Sequence, residues 1–160
     1  MPGILGTDIN KDSEKLWLNL ARNFTDIGDQ FMNPLQFNID LTSSDTGLTI
    51  GDVIKKAETG LGLVNFDYTS GLLQEFQEQN YTGGASATSN LFTFPYDWRY
   101  GVSGIFSDGK TNVDALKQKI ADIRAQTGSD KVDVVAHSTG GLLVKKYVME
   151  YPDDNHIDKA

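Results

Sequence analysis

Val132-Asp133-Val134-Val135-Ala136-His137-Ser138-Thr139-Gly140-Gly141-Leu142 reads as a short buried strand, a sharp turn and the first turn of a helix. A serine hydroxyl is a poor nucleophile in water. It gains reactivity when the fold holds it out beside a base and beside donors for an oxyanion. A tight strand-to-helix turn does this, and it needs small residues two before and two after the serine. Ala136 and Gly140 fill those positions, with alanine in place of the more usual glycine. Gly141 is expected to give the helix a smooth face for close packing on the strand. Ser138 is therefore the candidate nucleophile, and the backbone N–H of Thr139, at the positive end of the helix, is the natural first oxyanion donor. The bland alternative is a βα turn in which Ser138 only caps the helix. A cap alone would not need small residues on both sides.

Upstream, Thr111 and Asp114 form a capping-box pattern. Val113, Leu116, Ile120 and Ile123 then recur at helical spacing, and Gly128 is a stop signal. Downstream, Leu142, Leu143, Tyr147 and Val148 mark a second helix, closed by Pro152. Helix, strand, turn and helix make a βα unit of an α/β sheet. Nearer the start, Pro2–Thr7 is turn-rich. Leu16, Trp17, Leu20 and Phe24 suggest a helix over 13–24 with Ser13 as its cap. Residues 25–51 are irregular, with short strands near 36–41. Residues 66–80 turn helical in their second half, 82–90 reads as a surface loop, and 91–94 as a short strand ended by Pro95.

Composition narrows the function classes. The chain has 160 residues, 39% hydrophobic and 22% charged, which suits one soluble globular domain. A net charge of -8 argues against nucleic acid and against electrostatic docking on anionic lipid. With no cysteine there is no disulfide framework or thiolate metal site, and no His/Asp/Glu cluster has metal-ligand spacing. No cofactor, metal or obligate protein partner is expected. No apolar run reaches membrane-spanning length. Met1-Pro2-Gly3 already reads as a turn, so sequence is expected to be missing upstream, and the end of the chain so soon after Ser138 makes it the expected front part of a longer protein. A missing upstream targeting segment would make it an exported protein; the compartment is otherwise open.

Three segments resemble the lecithin:cholesterol acyltransferase and lysosomal phospholipase A2-like family of α/β-hydrolases. They are Pro2-Gly3-Ile4-Leu5-Gly6-Thr7, Phe94-Pro95-Tyr96-Asp97-Trp98-Arg99 and the stretch from Val132 to Leu142. The resemblance implies an α/β-hydrolase-type fold, a mostly parallel sheet with flanking helices, here incomplete at both ends. It divides the chain into an oxyanion turn at 2–7, a variable, lipid-facing insertion at about 13–65 and core βα units at about 66–151. It implies a Ser-Asp-His triad that takes an acyl group from a lipid or other ester and passes it to water or an alcohol. Ser138 takes the nucleophile role, and Thr139 and Ile4 supply the backbone oxyanion donors. The family's Asp and His lie well downstream of the nucleophile and have no matching position before Ala160. The core strand expected before Pro2-Gly3 is absent, so the oxyanion turn is expected to be poorly held. Absent family disulfides point to a prokaryote-like member. A general esterase on small esters, or a binding module that kept the turn, are the competing readings.

Other residues carry plainer readings. His137 should point away from Ser138 and support the turn by packing or hydrogen bonding. His156 follows Ser138 too closely, in an Asp-rich terminal loop, to be the base. Asp97, Trp98 and Arg99 are either substrate contacts or, more in keeping with Arg–carboxylate geometry, a structural corner. Trp17 with Leu16 and Leu20 reads as core-facing rather than as a membrane patch. Asp108, Asp114 and Asp130 look like turn and cap residues.

Overall fold

The helix predicted after Thr111 forms at Asn112–Thr127 (here α3), and both of its ends follow from side-chain chemistry. Thr111 Oγ1 accepts from the Asp114 N–H, and the Asp114 carboxylate accepts from the Thr111 N–H. Gly128 ends the helix at φ 73°, a left-handed conformation that glycine adopts without a Cβ clash. Val113, Leu116 and Ile120 bury one stripe against Leu143, Val144 and Tyr147 of α4 (Thr139–Glu150). Val132, Val134 and Ala136 pack against the same cluster. The computed structural model describes every residue except 27, 59–64, 85 and 87, and the side chains of 24, 58 and 65. Parts of the expected insertion (27 and 59–64) and of the expected loop 82–90 (85 and 87) thus lie outside the described residues.

In chain order the remaining elements are β1 (Thr7–Lys11), β2 (Glu14–Trp17), α1 (Leu20–Thr25), β3 (Leu48–Val53), β4 (Lys56–Glu58), β5 (Asn65–Asp67), α2 (Ser70–Glu78), β6 (Val132–Asp133) and β7 (Ile157–Lys159). Short 3₁₀ turns lie at Gln30–Leu35, Trp98–Tyr100 and Pro152–Asp154. β2-β1-β3 is an antiparallel sheet, β4-β5 an antiparallel pair and β6-β7 a parallel pair. A mostly parallel sheet was expected. Parallel neighbours need a crossover, and among the described residues only α4 supplies one, between β6 and β7. On the other edge of the β6 segment, the Met1 amine donates to Val135 O (2.8 Å) and His137 N–H to Met1 O (3.2 Å), a parallel bonding pattern.

Several local expectations are corrected. Residues 13–24 do not form one helix. Asp12 and Ser13 both have positive φ (49° and 73°), the signature of a type I′ hairpin turn, so Ser13 turns a hairpin rather than capping a helix. The operative period is two, burying Ile9 and Leu16. Helix α1 begins later, capped by Asn19, whose Oδ1 accepts from Arg22 N–H. The three-stranded sheet therefore crosses position 13. The short strands expected near 36–41 reduce to one bridge, Phe37 with Ser43, and the strand expected at 91–94 to a bridge between Leu91 and Gly83. The strand before Ser138 was expected to be buried on both faces. Val135 is half exposed and Asp133 exposed, so only the face carrying Val132, Val134 and Ala136 is covered. The terminal loop proposed after Pro152 ends in β7, whose Ile157 is buried. No helix among the described residues is long and apolar enough to cross a membrane.

Tyr151 OH donates to Asp114 Oδ1 at 2.7 Å and ties the end of α4 to the start of α3. This bond, with burial and nearby negative charge, pushes the Tyr151 phenol up to about 12; burial pushes Tyr96 up to about 12 as well. An unfolded tyrosine titrates near 10. Between those values the unfolded chain has already released protons that the folded chain still holds. Stability is fully present below about pH 10 and drains away as pH rises toward 12. Melting temperature measured across that window is expected to fall, and Tyr151→Phe to flatten part of the fall.

Candidate active site

Ser138 stands between β6 and α4 at φ 54°, ψ −123°. Hard-sphere contacts disfavour that region for any residue with a Cβ, and holding it costs about 1–3 kcal/mol. The turn is locked by Gly140 N–H donating to His137 O (3.0 Å) and Gly141 N–H to Ser138 O (2.8 Å). Ser138 is exposed and its side chain makes no capping hydrogen bond to the helix. A serine placed only to cap would accept from the first free N–H groups of α4.

The N-terminal turn packs directly on this corner. A Cβ on Gly3 would lie 3.0 Å from both Ser138 Cβ and His137 Nδ1. A Cβ on Gly140 would lie 2.5 Å from Pro2 O. Gly140 is thus the residue that permits close approach. Gly141, expected to do so, has open space where its Cβ would be. Gly6 N–H donates to Gly3 O (3.2 Å), and Leu5 sits at φ 64°, as the third position of a type II turn requires. Ile4, the second residue of that turn, is largely exposed. Among the described residues neither Ile4 N–H nor Thr139 N–H donates to a protein acceptor.

The turn at 2–7, expected to be poorly held, is tied down by three hydrogen bonds. Trp17 Nε1 donates to Leu5 O (2.8 Å), Trp98 Nε1 to Thr7 O (3.1 Å) and Tyr96 N–H to Thr7 Oγ1 (3.3 Å). The two indoles meet edge to face at 5.5 Å. Trp17 and Trp98, with Met32 and Leu35, also line an open cleft of about 390 Å³ behind the turn. Trp17 is half buried there, on the strand β2 rather than on a helix.

Asp97 and Arg99 form a corner rather than free site groups. Arg99 Nε donates to Asp97 Oδ1 (2.9 Å) and Nη2 to Asp97 Oδ2 (2.6 Å), with side chains 5% and 10% exposed. Arg99 Nη1 reaches Leu35 O (3.4 Å) and Ser43 Oγ (3.2 Å). Buried Asn112 donates to Asp97 O and Gly101 O, both at 2.8 Å. His137 lies beside Gly3, and no hydrogen bond of its side chain is seen among the described residues. His156 O accepts from Val132 N–H at the start of β6, and its ring meets Asp154 Oδ1 at 2.9 Å. The extended chain from Val132 to Ser138 puts it roughly 20 Å from the serine, at about 3.3 Å per residue. No group of three or more His, Asp or Glu able to hold a metal occurs among the described residues.

Sequence reasoning asked for a small residue at 140 but did not foresee that Pro2 O is the atom that crowds it, nor that Trp17 and Trp98 hold the turn at 2–7. Gly3 and Ser138 lie far apart in the chain, and nothing local signals their contact. No curated protein and no solved structure matches the chain. The family model described as lecithin:cholesterol acyltransferase matches residues 13–160, which takes in the Tyr96–Arg99 corner and the Ser138 turn, while Pro2–Thr7 precedes the match. The chain belongs to the lecithin:cholesterol acyltransferase family, acyltransferase and phospholipase-type enzymes of α/β-hydrolase-like fold that act on lipid esters.

Proposed function

We propose that Ser138 is the nucleophile of a lipid-ester acyl hydrolase or O-acyltransferase that works through an acyl-serine intermediate. The observation that carries this reading is the strained, exposed Ser138, whose hydroxyl does no capping. Its oxygen attacks the ester carbonyl, and the carbonyl oxygen takes the negative charge. The N–H groups of Thr139 and Ile4 receive that charge, the first with the help of the α4 dipole. Collapse breaks the ester C–O bond and expels the alcohol, which takes up the proton that Ser138 gave up on attack, carried by a base outside these residues. Water or a second alcohol then attacks the acyl-serine and restores Ser138. Hydrolysis and transfer share every step but the last acceptor. The β6-α4-β7 unit, with Met1 along its other edge, is taken as part of the family's parallel sheet, and the stretch up to residue 65 as the insertion beside it.

Neither histidine is assigned the Ser138 proton. His156 is at the far end of β6, and His137 packs on Gly3. The reading therefore gives these residues a nucleophile and an oxyanion cradle without a base, and expects little turnover from them alone. An external base tests this. With imidazole present, a fluorophosphonate probe is expected to mark Ser138 ahead of the chain's other serines, as read by peptide mass spectrometry. Ser138→Ala abolishes that adduct. Gly140→Ala, which pushes Pro2 and its turn away, lowers the rate about tenfold or more; Gly141→Ala leaves it intact. Equal labelling of all exposed serines would sink the proposal.

A further inference from the structure

We propose that Asn80, and not Asn23, is an acceptor for an N-linked oligosaccharide delivered from a polyprenyl-pyrophosphate donor. The chain holds two Asn-x-Thr sequences without proline in the middle, Asn23-Phe24-Thr25 and Asn80-Tyr81-Thr82. A transferase must reach the asparagine amide and read the hydroxyl two residues on. Asn23 lies inside α1, with its N–H donating to Asn19 O (3.0 Å) and its Oδ1 buried. The Thr25 hydroxyl donates to Ala21 O (3.0 Å), so both groups are locked into one helix. Asn80 instead follows the end of α2, exposed and at φ 65°. Tyr81 N–H donates to Phe76 O and Asn80 N–H to Gln77 O, both at 3.0 Å, the pair of bonds that closes a helix over a left-handed residue. The Tyr81 ring meets Phe76 edge to face at 5.2 Å and fixes the closure.

The motif is held by its main chain and leaves its side chains outside. Thr82 N–H donates to Asn90 Oδ1 (2.6 Å), and Thr82 O accepts from Asn90 N–H (3.0 Å) and Leu91 N–H (3.1 Å). Asn80 and Thr82 are both exposed, and no hydrogen bond of either side chain is seen among the described residues. The chain then leaves through Gly83 and Gly84, the latter at φ 126°. Admitting this stretch to a transferase frays one helix end, which costs little. A left-handed position favours asparagine, and that alone would explain Asn80. It does not explain the exposed Thr82 hydroxyl, nor Glu78, an exposed carboxylate two residues before Asn80. Bacterial transferases read a carboxylate at that place, so Glu78-Gln79-Asn80-Tyr81-Thr82 meets their longer motif, whereas Asn23 has Ala21 there. In the transfer, Asn80 Nδ2 bonds to the anomeric carbon of the first sugar as the bond from that carbon to the pyrophosphate oxygen breaks. Polyprenyl pyrophosphate leaves with the electron pair, and one amide proton passes to a carboxylate of the transferase. Such donors face the outer side of a membrane, so the site serves an exported chain.

The test uses the folded 160-residue chain, a bacterial oligosaccharyltransferase and its polyprenyl-pyrophosphate glycan. One glycan is expected, placed on Asn80 by peptide mass spectrometry. Asn80→Gly keeps a residue suited to the left-handed turn and is expected to lose the adduct. Thr82→Val removes the hydroxyl at an exposed position and is expected to lose it too. Glu78→Gln is expected to lose most of it with this enzyme. A transferase that reads the short motif without the carboxylate is expected to make the same choice on the folded chain, which separates exposure of the motif from the acidic residue. The proposal is overturned if the folded chain takes no glycan, if Thr82→Val is modified as fully as wild type, or if the short-motif enzyme modifies Asn23. Should Asn80→Gly melt early, Thr82→Val decides. Ser138 plays no part in this transfer, so Ser138→Ala is expected to be glycosylated as fully as wild type.

Discussion

Arg99→Met is expected to cost the fold about 3–5 kcal/mol, because it leaves the Asp97 carboxylate buried without its partner. The Asp97 side chain is only 10% exposed and both of its oxygens are taken by Arg99. A domain of this size holds about 5–15 kcal/mol in all, so the loss is a large part of its stability. The melting temperature is expected to drop by about 10 °C or more. Asp97→Asn combined with Arg99→Met removes the stranded charge and is expected to recover part of the loss, a coupling that a double-mutant cycle measures. The exposed pair Lys55–Asp52 is the contrast: deleting it is expected to cost no more than about 0.5 kcal/mol. Hydrogen exchange gives a second reading. Arg99 also holds Leu35 and Ser43, so protection across 36–44 is expected to fall in Arg99→Met before the α3–α4 core opens. Equal melting temperatures for Arg99→Met and wild type would contradict the corner described here.

Ser138→Gly is expected to do two opposite things. It removes the hydroxyl, so the fluorophosphonate adduct at this position disappears entirely. It also relieves a backbone held at φ 54°, ψ −123°, which glycine adopts without a Cβ clash. Relief of about 1–3 kcal/mol is offset by about 0.5–1 kcal/mol of extra freedom in the unfolded chain, leaving a net gain of about 1 kcal/mol. Ser138→Ala is the necessary control. It deletes the same oxygen and keeps the Cβ, so it is expected to abolish the adduct with no comparable gain. The difference between the two variants, read as denaturation midpoints at constant slope, measures the strain itself. Glycine no more stable than alanine would mean that the turn is relaxed.

What could be read from the sequence was local. The Thr111–Asp114 cap, the buried stripe of α3 and the Gly128 stop each depend on residues a few positions apart, and all appear in the structure. The small residues flanking Ser138 likewise speak of a tight turn at that point. The β1–β2 hairpin was hidden because Leu16 and Leu20 imitate helical spacing, and Asp12-Ser13 is a less familiar hairpin pair than Asn-Gly. That Gly140 must be small was legible, but the reason for it was hidden. The answer lies in Pro2 O, which the chain brings there only on folding. The role of Tyr96 to Arg99 was half legible: the Asp–Arg lock follows from chemistry, whereas the bonds from Tyr96 and Trp98 to Thr7 depend on tertiary placement.

Trp17 and Trp98 are the chain's two tryptophans, and both donate to carbonyls of one short turn. Indole emission from the entire polypeptide therefore originates at a single spot, on the turn whose Gly3 packs against Ser138. Its colour and intensity form a built-in gauge of whether that spot is assembled and dry, readable in a cuvette without attaching any dye.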